Sequence, residues 1–260
     1  MMISFNWEFP WRVTLGYIEV SFHVVLEFLA FFIGFRYYLF LRKKQGDAIG
    51  SANRVWILIG AIFGALIGSR LVGGLESMEQ LKLAPNKWLH FYGNKTVAGG
   101  FLGGLFGVEF MKKIIGEKTR SGDLFVYPII LALLIGRLGC LSMGVYEDVY
   151  GAPTSFFMGM DLGDGIRRHP LILYEMFFLI LLWVAIKKAG ENYPLANGSS
   201  FILFMIGYLL FRFCIEFLKT REQYLLGLGA IQLASLLGLV YYSTYILRPR
   251  RLLATIAAKS

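Results

Sequence analysis

Cysteine is nearly missing from this chain. Only Cys140 and Cys214 occur in 260 residues, both inside apolar stretches, which excludes a disulfide-stapled fold. Charge is scarce too. Asp, Glu, Lys and Arg make up 17% of the residues, where a soluble globular domain carries about 25%. Acidic residues are the scarcer kind, 17 against 26 Lys and Arg, for a net charge of +9. In so apolar a chain that excess marks cytoplasmic loops, and no nucleic-acid partner is expected. Residues 1–10 have neither a basic leader region nor a small-residue cleavage site, so no cleaved signal peptide is expected. Neither end carries a lipidation motif. The three histidines, His23, His90 and His169, have no metal-ligand spacing. No metal and no cofactor are expected.

What the sequence has in abundance is apolar: 57% hydrophobic residues, 16% of all residues aromatic. That composition predicts an all-α integral membrane protein, a single membrane domain over residues 1–260. A spanning helix needs about 20 mostly apolar residues. Seven such runs stand near 20–41, 55–75, 97–115, 124–144, 171–187, 199–218 and 226–247. They do not alternate with period two, so a lipid-embedded barrel is excluded.

The basic residues set the orientation. Arg42, Lys43, Lys44 and Arg54 follow the first span, and Lys112, Lys113, Lys118 and Arg120 follow the third. Lys187 and Lys188 follow the fifth, and Arg248, Arg250, Arg251 and Lys259 follow the seventh. These fourteen face eight on the other side, Arg221 among them. The positive-inside rule then puts the N-terminus outside and the C-terminus in the cytoplasm, as seven spans require. Span seven holds no lysine, which argues against a Schiff-base pigment.

Charges inside spans are costly and face a bundle interior or cavity. At 1.5 Å per residue, Arg70, Arg137 and Arg212 lie roughly 22, 20 and 18 Å from the cytoplasmic starts of their spans, in the outer half of a core about 30 Å thick. His23 and Glu27 share one face near the outer end of span one. His169, Tyr174 and Glu175 open span five, and Glu216 stands one turn outward from Arg212. Arginine forks suit phosphate, so this layer reads as a headgroup site for an anionic phospholipid. The alternative is that the arginines pair with Glu27, Glu175 and Glu216 and only hold the bundle together. Gly60, Gly64 and Gly68 recur in span two, and Gly99, Gly103 and Gly107 in span three, at a spacing that lets helices approach closely. Gly103 and Gly104, in a denser run, could in addition admit a ligand against backbone. Cys140, beside Arg137, is either an activated thiol or a small apolar filler.

Several of these segments together resemble one family. Gly136-Arg137-Leu138-Gly139, Gly151-Ala152-Pro153-Thr154, Arg168-His169-Pro170 with Leu173-Tyr174-Glu175, Phe211-Arg212 with Glu216-Phe217, and Gly68-Ser69-Arg70-Leu71 are similar to motifs of the bacterial prolipoprotein diacylglyceryl transferases. The resemblance covers roughly residues 20–245. It implies a multi-pass enzyme of the bacterial cytoplasmic (inner) membrane. Such an enzyme moves the diacylglyceryl group of phosphatidylglycerol onto the lipobox cysteine of a preprotein at the outer leaflet. It implies that Arg137 and Arg212 hold the phosphate, with Glu216 orienting Arg212. Arg70, Gly103, Gly104 and Tyr174 complete the expected headgroup site. His169, Glu175 and Glu216 are the expected catalytic groups, with His23 and Glu27 also available.

The chain departs from the family at its acid/base positions. The family's Asn after Gly-Arg-x-Gly is Cys140 here, its following Glu is Val145 with Glu147 and Asp148 close by, and its span-three His is Leu102. A second reading therefore stands beside the first: a non-catalytic anionic-phospholipid-binding or membrane-assembly protein that keeps the headgroup pocket. A transporter is disfavoured, because the polar layer is confined to one leaflet and paired broken helices are not evident.

Overall fold

The computed structural model describes residues 3–6, 8–15, 17–120, 122–147, 149–219 and 226–254. Asp148, Arg221 and Lys259 lie outside the described residues. In chain order the elements are β1 (Ile3–Asn6), β2 (Arg12–Leu15), β3 (Ile18–Ser21), α1 (Phe22–Gln45), α2 (Ser51–Glu76), α3 (Met78–Leu83), α4 (Lys87–Gly93), α5 (Val97–Ile115), α6 (Asp123–Met143), β4 (Met160–Asp161), β5 (Arg167–Arg168), α7 (Leu171–Asn192), α8 (Ser199–Ile215), α9 (Ala230–Tyr241) and α10 (Ser243–Leu247).

Among the described residues four helical stretches are long and apolar enough to cross a membrane: Phe22–Gln45, Ser51–Glu76, Asp123–Tyr146 and Ser199–Leu218. Ala230–Tyr241 is a shorter apolar helix. Helices α5 and α7 are long but more charged. Glu109, Lys112 and Lys113 lie within α5, and Glu175, Lys187, Lys188 and Glu191 within α7. The run expected at 226–247 is broken at Tyr242 into α9 and α10. Phe28, Phe31, Phe32 and Phe35 of α1 all point outward and are exposed. In a water-soluble bundle such an apolar outer surface would be a liability; against lipid it is the expected one.

Local chemistry fixes the helix ends. Ser21 caps α1 by accepting from the His23 N–H, and Thr96 caps α5 by accepting from the Gly99 N–H. Arg42, Lys43 and Lys44 close the last turn of α1, where cations suit the exposed carbonyls. Gly116 ends α5 in the left-handed conformation.

The chain divides into two compact units. The first holds the described residues of 1–46, 122–193 and 218–220. Its centre is α1 packed on α6, with α7 against α6. Tyr38 stacks on Phe125 at 4.5 Å, and Tyr127 meets Trp183 at 5.0 Å. Ahead of α1 lies a three-stranded antiparallel sheet in the order β1-β2-β3, which the span pattern did not announce. The Trp11 N–H donates to the Ser142 carbonyl and ties that sheet to the end of α6. Strands β4 and β5 form a small hairpin, closed by Asp161 Oδ1 accepting from the N–H groups of Gly163, Asp164 and Gly165.

The second unit holds the described residues of 47–121, 194–217 and 221–260. Its spine is α2 against α5, with the glycine rows face to face. A methyl group on Gly64 would overlap the Gly103 carbonyl, and one on Gly68 the Gly99 carbonyl. Backbone on backbone is the reason for the spacing. Helix α9 packs on α8, α2 and α5. Phe101 meets Phe204 and Tyr208 edge-on at 5.4 and 5.0 Å. Arg54, assigned to a loop by the sequence, stands in the first turn of α2, buried and paired with Asp47 through Nε to Oδ2 at 2.8 Å.

Candidate functional site

In the first unit, α6 and α7 bring Arg137 and Glu175 together. Arg137 Nη2 lies 2.9 Å from Glu175 Oε1, with side-chain exposures of 9% and 4%. A bare charge buried there would be costly, and each group of the pair offsets the other's. Arg137 Nη1 also lies 3.8 Å from Cys140 Sγ, and the His23 ring sits beside the same thiol. His23 Nε2 is 3.8 Å from Glu27 Oε2, on the face their spacing predicts. Glycine at 139 lets α1 come close, since a methyl there would stand 3.3 Å from the His23 carbonyl and from Leu26 Cβ.

His169 is held by backbone on both sides. The Gly151 N–H donates to the His169 carbonyl, and the His169 N–H donates to the Ala152 carbonyl. Gly151 has no room for a side chain, because an added methyl would lie 2.6 Å from His169 Cβ. The imidazole is oriented by Tyr174, whose hydroxyl lies 3.2 Å from Nδ1. Arg168 turns the other way. It donates twice to Asp164 Oδ2, at 2.9 and 2.7 Å, and lies over the Tyr150 ring. Those bonds hold the Asp164 carboxyl below the usual carboxylate range.

In the second unit, Arg212 pairs with Glu216 one turn on. The Glu216 side chain is buried, so the pair is sealed from one side. Arg70 is held differently. Its guanidinium lies over the Tyr92 ring, 4.5 Å from the centroid, and Nη1 donates to the Gly93 carbonyl at 3.4 Å. Gly103 and Gly104 face α2: Gly103 meets the Gly64 backbone, and a methyl on Gly104 would stand 3.5 Å from the Ala61 carbonyl oxygen. Leu102 lies against α9 at Gly238.

The expected site residues thus fall into two groups. Arg137, Glu175, His169 and Tyr174 lie in the first unit; Arg70, Arg212, Glu216, Gly103 and Gly104 lie in the second. Sequence reasoning missed Tyr92. The only hint was the aromatic run Trp88-Leu89-His90-Phe91-Tyr92 after span two.

The family model described as prolipoprotein diacylglyceryl transferase matches residues 10–248. This chain belongs to that family. Among curated relatives named phosphatidylglycerol–prolipoprotein diacylglyceryl transferase, the one from Bordetella bronchiseptica is 34% identical over 181 residues, covering 64% of each chain. That from Cupriavidus metallidurans is 29% identical over 243 residues, 86% of this chain and 85% of the relative. That from Nitratidesulfovibrio vulgaris is 26% identical, over 95% of this chain and 97% of the relative. The match spans less than two thirds of the Bordetella bronchiseptica relative's length, and 50% of that from Bordetella parapertussis. The family segments named from the sequence include both halves of the Arg137–Glu175 and Arg212–Glu216 pairs.

Proposed function

We propose that this chain transfers the diacylglyceryl group of phosphatidylglycerol to a cysteine thiol of a prolipoprotein. The family match across residues 10–248 carries this reading. The acceptor sulfur attacks the glyceryl carbon that bears the phosphate. The carbon–oxygen bond breaks, glycerol phosphate leaves with the electron pair, and a thioether forms. The thiol proton goes to a base.

The arginines answer the first need of that reaction. Negative charge on the departing phosphate is stabilised by donors already in place in a dry site. By the family resemblance Arg137 and Arg212 are the residues that supply such donors, and each is paired with a glutamate within its own unit. Ion pairing commits Glu175 and Glu216 to that task. His169 is then the base. Nδ1 stands 3.2 Å from the Tyr174 hydroxyl, and in the tautomer that carries its proton on Nδ1 the Nε2 lone pair accepts the thiol proton. Gly103 and Gly104 act by letting α5 lie close to α2.

The chain acts from the bacterial cytoplasmic membrane as a single seven-span domain with an outside N-terminus and a cytoplasmic C-terminus. The fourteen-to-eight division of loop Lys and Arg supports that orientation. It puts the arginine layer near the outer leaflet, where a secreted preprotein presents its lipobox cysteine.

One observation favours the second reading, a headgroup-binding protein without chemistry. Leu102 and Cys140 stand where the resemblance leads one to expect His and Asn. The test is purified full-length protein with labelled phosphatidylglycerol and a lipobox peptide. Transferase activity releases glycerol phosphate and gives a thioether-linked peptide. A folded protein that retains phosphatidylglycerol and releases nothing, across several thiol acceptors, establishes the second reading instead.

A further inference from the structure

Helix α8 carries Arg212 in its last turn and gives way to a 3-10 turn that opens at Glu216. Carbonyls in the last turn of a helix run out of N–H partners within the helix itself. The Arg212–Glu216 ion pair straddles that changeover. Its geometry therefore holds only while the turn is held.

A side chain from another helix of the same unit reaches this turn. Gln232, in the first turn of α9, is only 2% exposed, and its Nε2 donates to the Phe213 carbonyl at 3.2 Å. Phe213 is the residue next to Arg212. The other end of the amide is used as well, since Oε1 accepts from the Gly229 N–H at 3.1 Å. An amide that donates to one backbone segment and accepts from another has one orientation open to it. The first turn of α9 is in turn fixed to α2. Glu76, the last residue of α2, accepts from the Ile231 N–H at 3.0 Å, where an acidic group suits the positive end of α9. A chain of bonds thus runs from α2 through α9 to the turn that carries Arg212. Neither Glu76 nor Gln232 lies in the segments that resemble the family.

We propose that Gln232 is a positioning residue for the transfer reaction: by holding the Phe213 carbonyl it fixes the turn on which Arg212 and Glu216 stand, and so where the Arg212 guanidinium points. The inference rests on the reading of Arg212 as a donor to the departing phosphate. Such a donor acts only if it is in place before the charge develops, and a misplacement of about 1 Å can cost about a hundredfold in rate. Gln232 acts through the backbone beside Arg212 and not on the lipid.

The test uses the full-length protein in mixed micelles of phosphatidylglycerol and phosphatidylcholine with a lipobox peptide. Glycerol phosphate release gives kcat and KM, and backbone hydrogen exchange is followed over residues 210–218. Gln232→Met keeps the length of the side chain and removes both bonds. Gln232→Glu keeps the acceptor for Gly229 and removes the donor to Phe213. Both are expected to lower kcat roughly tenfold or more with KM within about twofold, and to speed exchange over 210–218. Gly238→Ala is the packing control on the same helix. Its methyl would press on the side-chain tips of Leu209 and Leu102, so it lowers the melting temperature and leaves kcat and that exchange near wild type. In an Arg212→Lys background, Gln232→Met is expected to cost less than about twofold more, because the group it positions is already gone.

A merely structural Gln232 would lower the melting temperature and leave kcat intact, which overturns the proposal. So does unchanged exchange over 210–218, a kcat that falls in Gly238→Ala as it does in Gln232→Met, or the full loss repeated in the Arg212→Lys background. Wild-type release by Arg212→Lys removes Arg212 from the phosphate and takes the proposal with it. Where the wild type releases nothing, the transferase reading falls by itself, and phosphatidylglycerol retained by the protein, measured by mass spectrometry, replaces release. Retention lost in Gln232→Met and kept in Gly238→Ala then supports the positioning role; equal retention in the two overturns it.

Discussion

Arg137 and Glu175 come from different helices, α6 and α7, and meet at 2.9 Å with both side chains almost sealed from solvent. The contact lets an arginine reside in that part of α6, and the pair has two roles to distinguish, holding the bundle and holding a ligand. The two roles separate under mutation. Removing one partner leaves a buried charge unmet, which costs about 3–5 kcal/mol, whereas replacing both by apolar groups is often neutral. Arg137→Ala is therefore expected to lose transfer and stability together. The double variant Arg137→Leu with Glu175→Leu recovers stability and not transfer. Arg137→Lys restores little, because an ammonium lacks the paired donors of the guanidinium. Thermal unfolding and glycerol phosphate release decide it, and transfer by the double variant would remove Arg137 from the phosphate.

The second prediction concerns the proton. If His169 takes it from the acceptor thiol, His169→Ala lowers transfer by about 10²–10⁴-fold near neutral pH. Tyr174→Phe has a smaller effect, since it only frees the ring that the hydroxyl orients. A free thiol ionises near pH ~8.5. As pH rises through that value the acceptor needs no base, and the deficit of His169→Ala should shrink. A deficit that stays constant from about pH 6 to about pH 9 would assign His169 a structural role.

The third prediction separates two kinds of glycine. At Gly64 an added methyl meets the carbonyl of Gly103, and backbone cannot yield as a side-chain tip does. Gly64→Ala should pry α2 from α5 and destabilise the second unit by about 1–3 kcal/mol. Nothing lies within 4 Å of a methyl placed on Gly136. Gly136→Ala, inside α6, should be neutral or stabilising by up to ~1 kcal/mol from helix propensity. Equal melting temperatures for the two variants would contradict the packing account.

Much of this was legible in the sequence, for identifiable reasons. The long apolar runs announced α1, α2, α6 and α8, because lipid demands length and low charge together. The Arg212–Glu216 pair was legible because an i,i+4 spacing fixes one helix face. The Arg137–Glu175 contact joins two helices, and nothing in either segment alone selects the partner; Glu27 and Glu216 were equally eligible. Tyr92 was hidden for a further reason. Helix α4 has seven residues, too few for periodicity to show which face is covered. Its position is set by Gly73 and Gly74 on another helix. The sheet of β1, β2 and β3 was missed because short strands beside a span leave no hydropathy signal.

The last prediction concerns Cys140. Its thiol lies 3.8 Å from Arg137 Nη1 and beside the His23 ring, surroundings that could activate a nucleophile. The family's own residue there, by resemblance, is an asparagine, which donates and accepts hydrogen bonds but cannot attack carbon. The position therefore serves Arg137 as a neighbour, and sulfur is a weak acceptor for that guanidinium. Cys140→Ala should keep most of the transfer, since it removes one long contact while the Glu175 bond to Arg137 remains. Cys140→Asn should match or exceed wild type, because an amide oxygen accepts from Nη1 more strongly than a thiol does. Initial rates of glycerol phosphate release, with folding checked by melting temperature, measure both. Complete loss in well-folded Cys140→Ala, together with a lipid adduct on Cys140 detected by peptide mass in the wild type, would make the thiol a reagent and reverse this assignment.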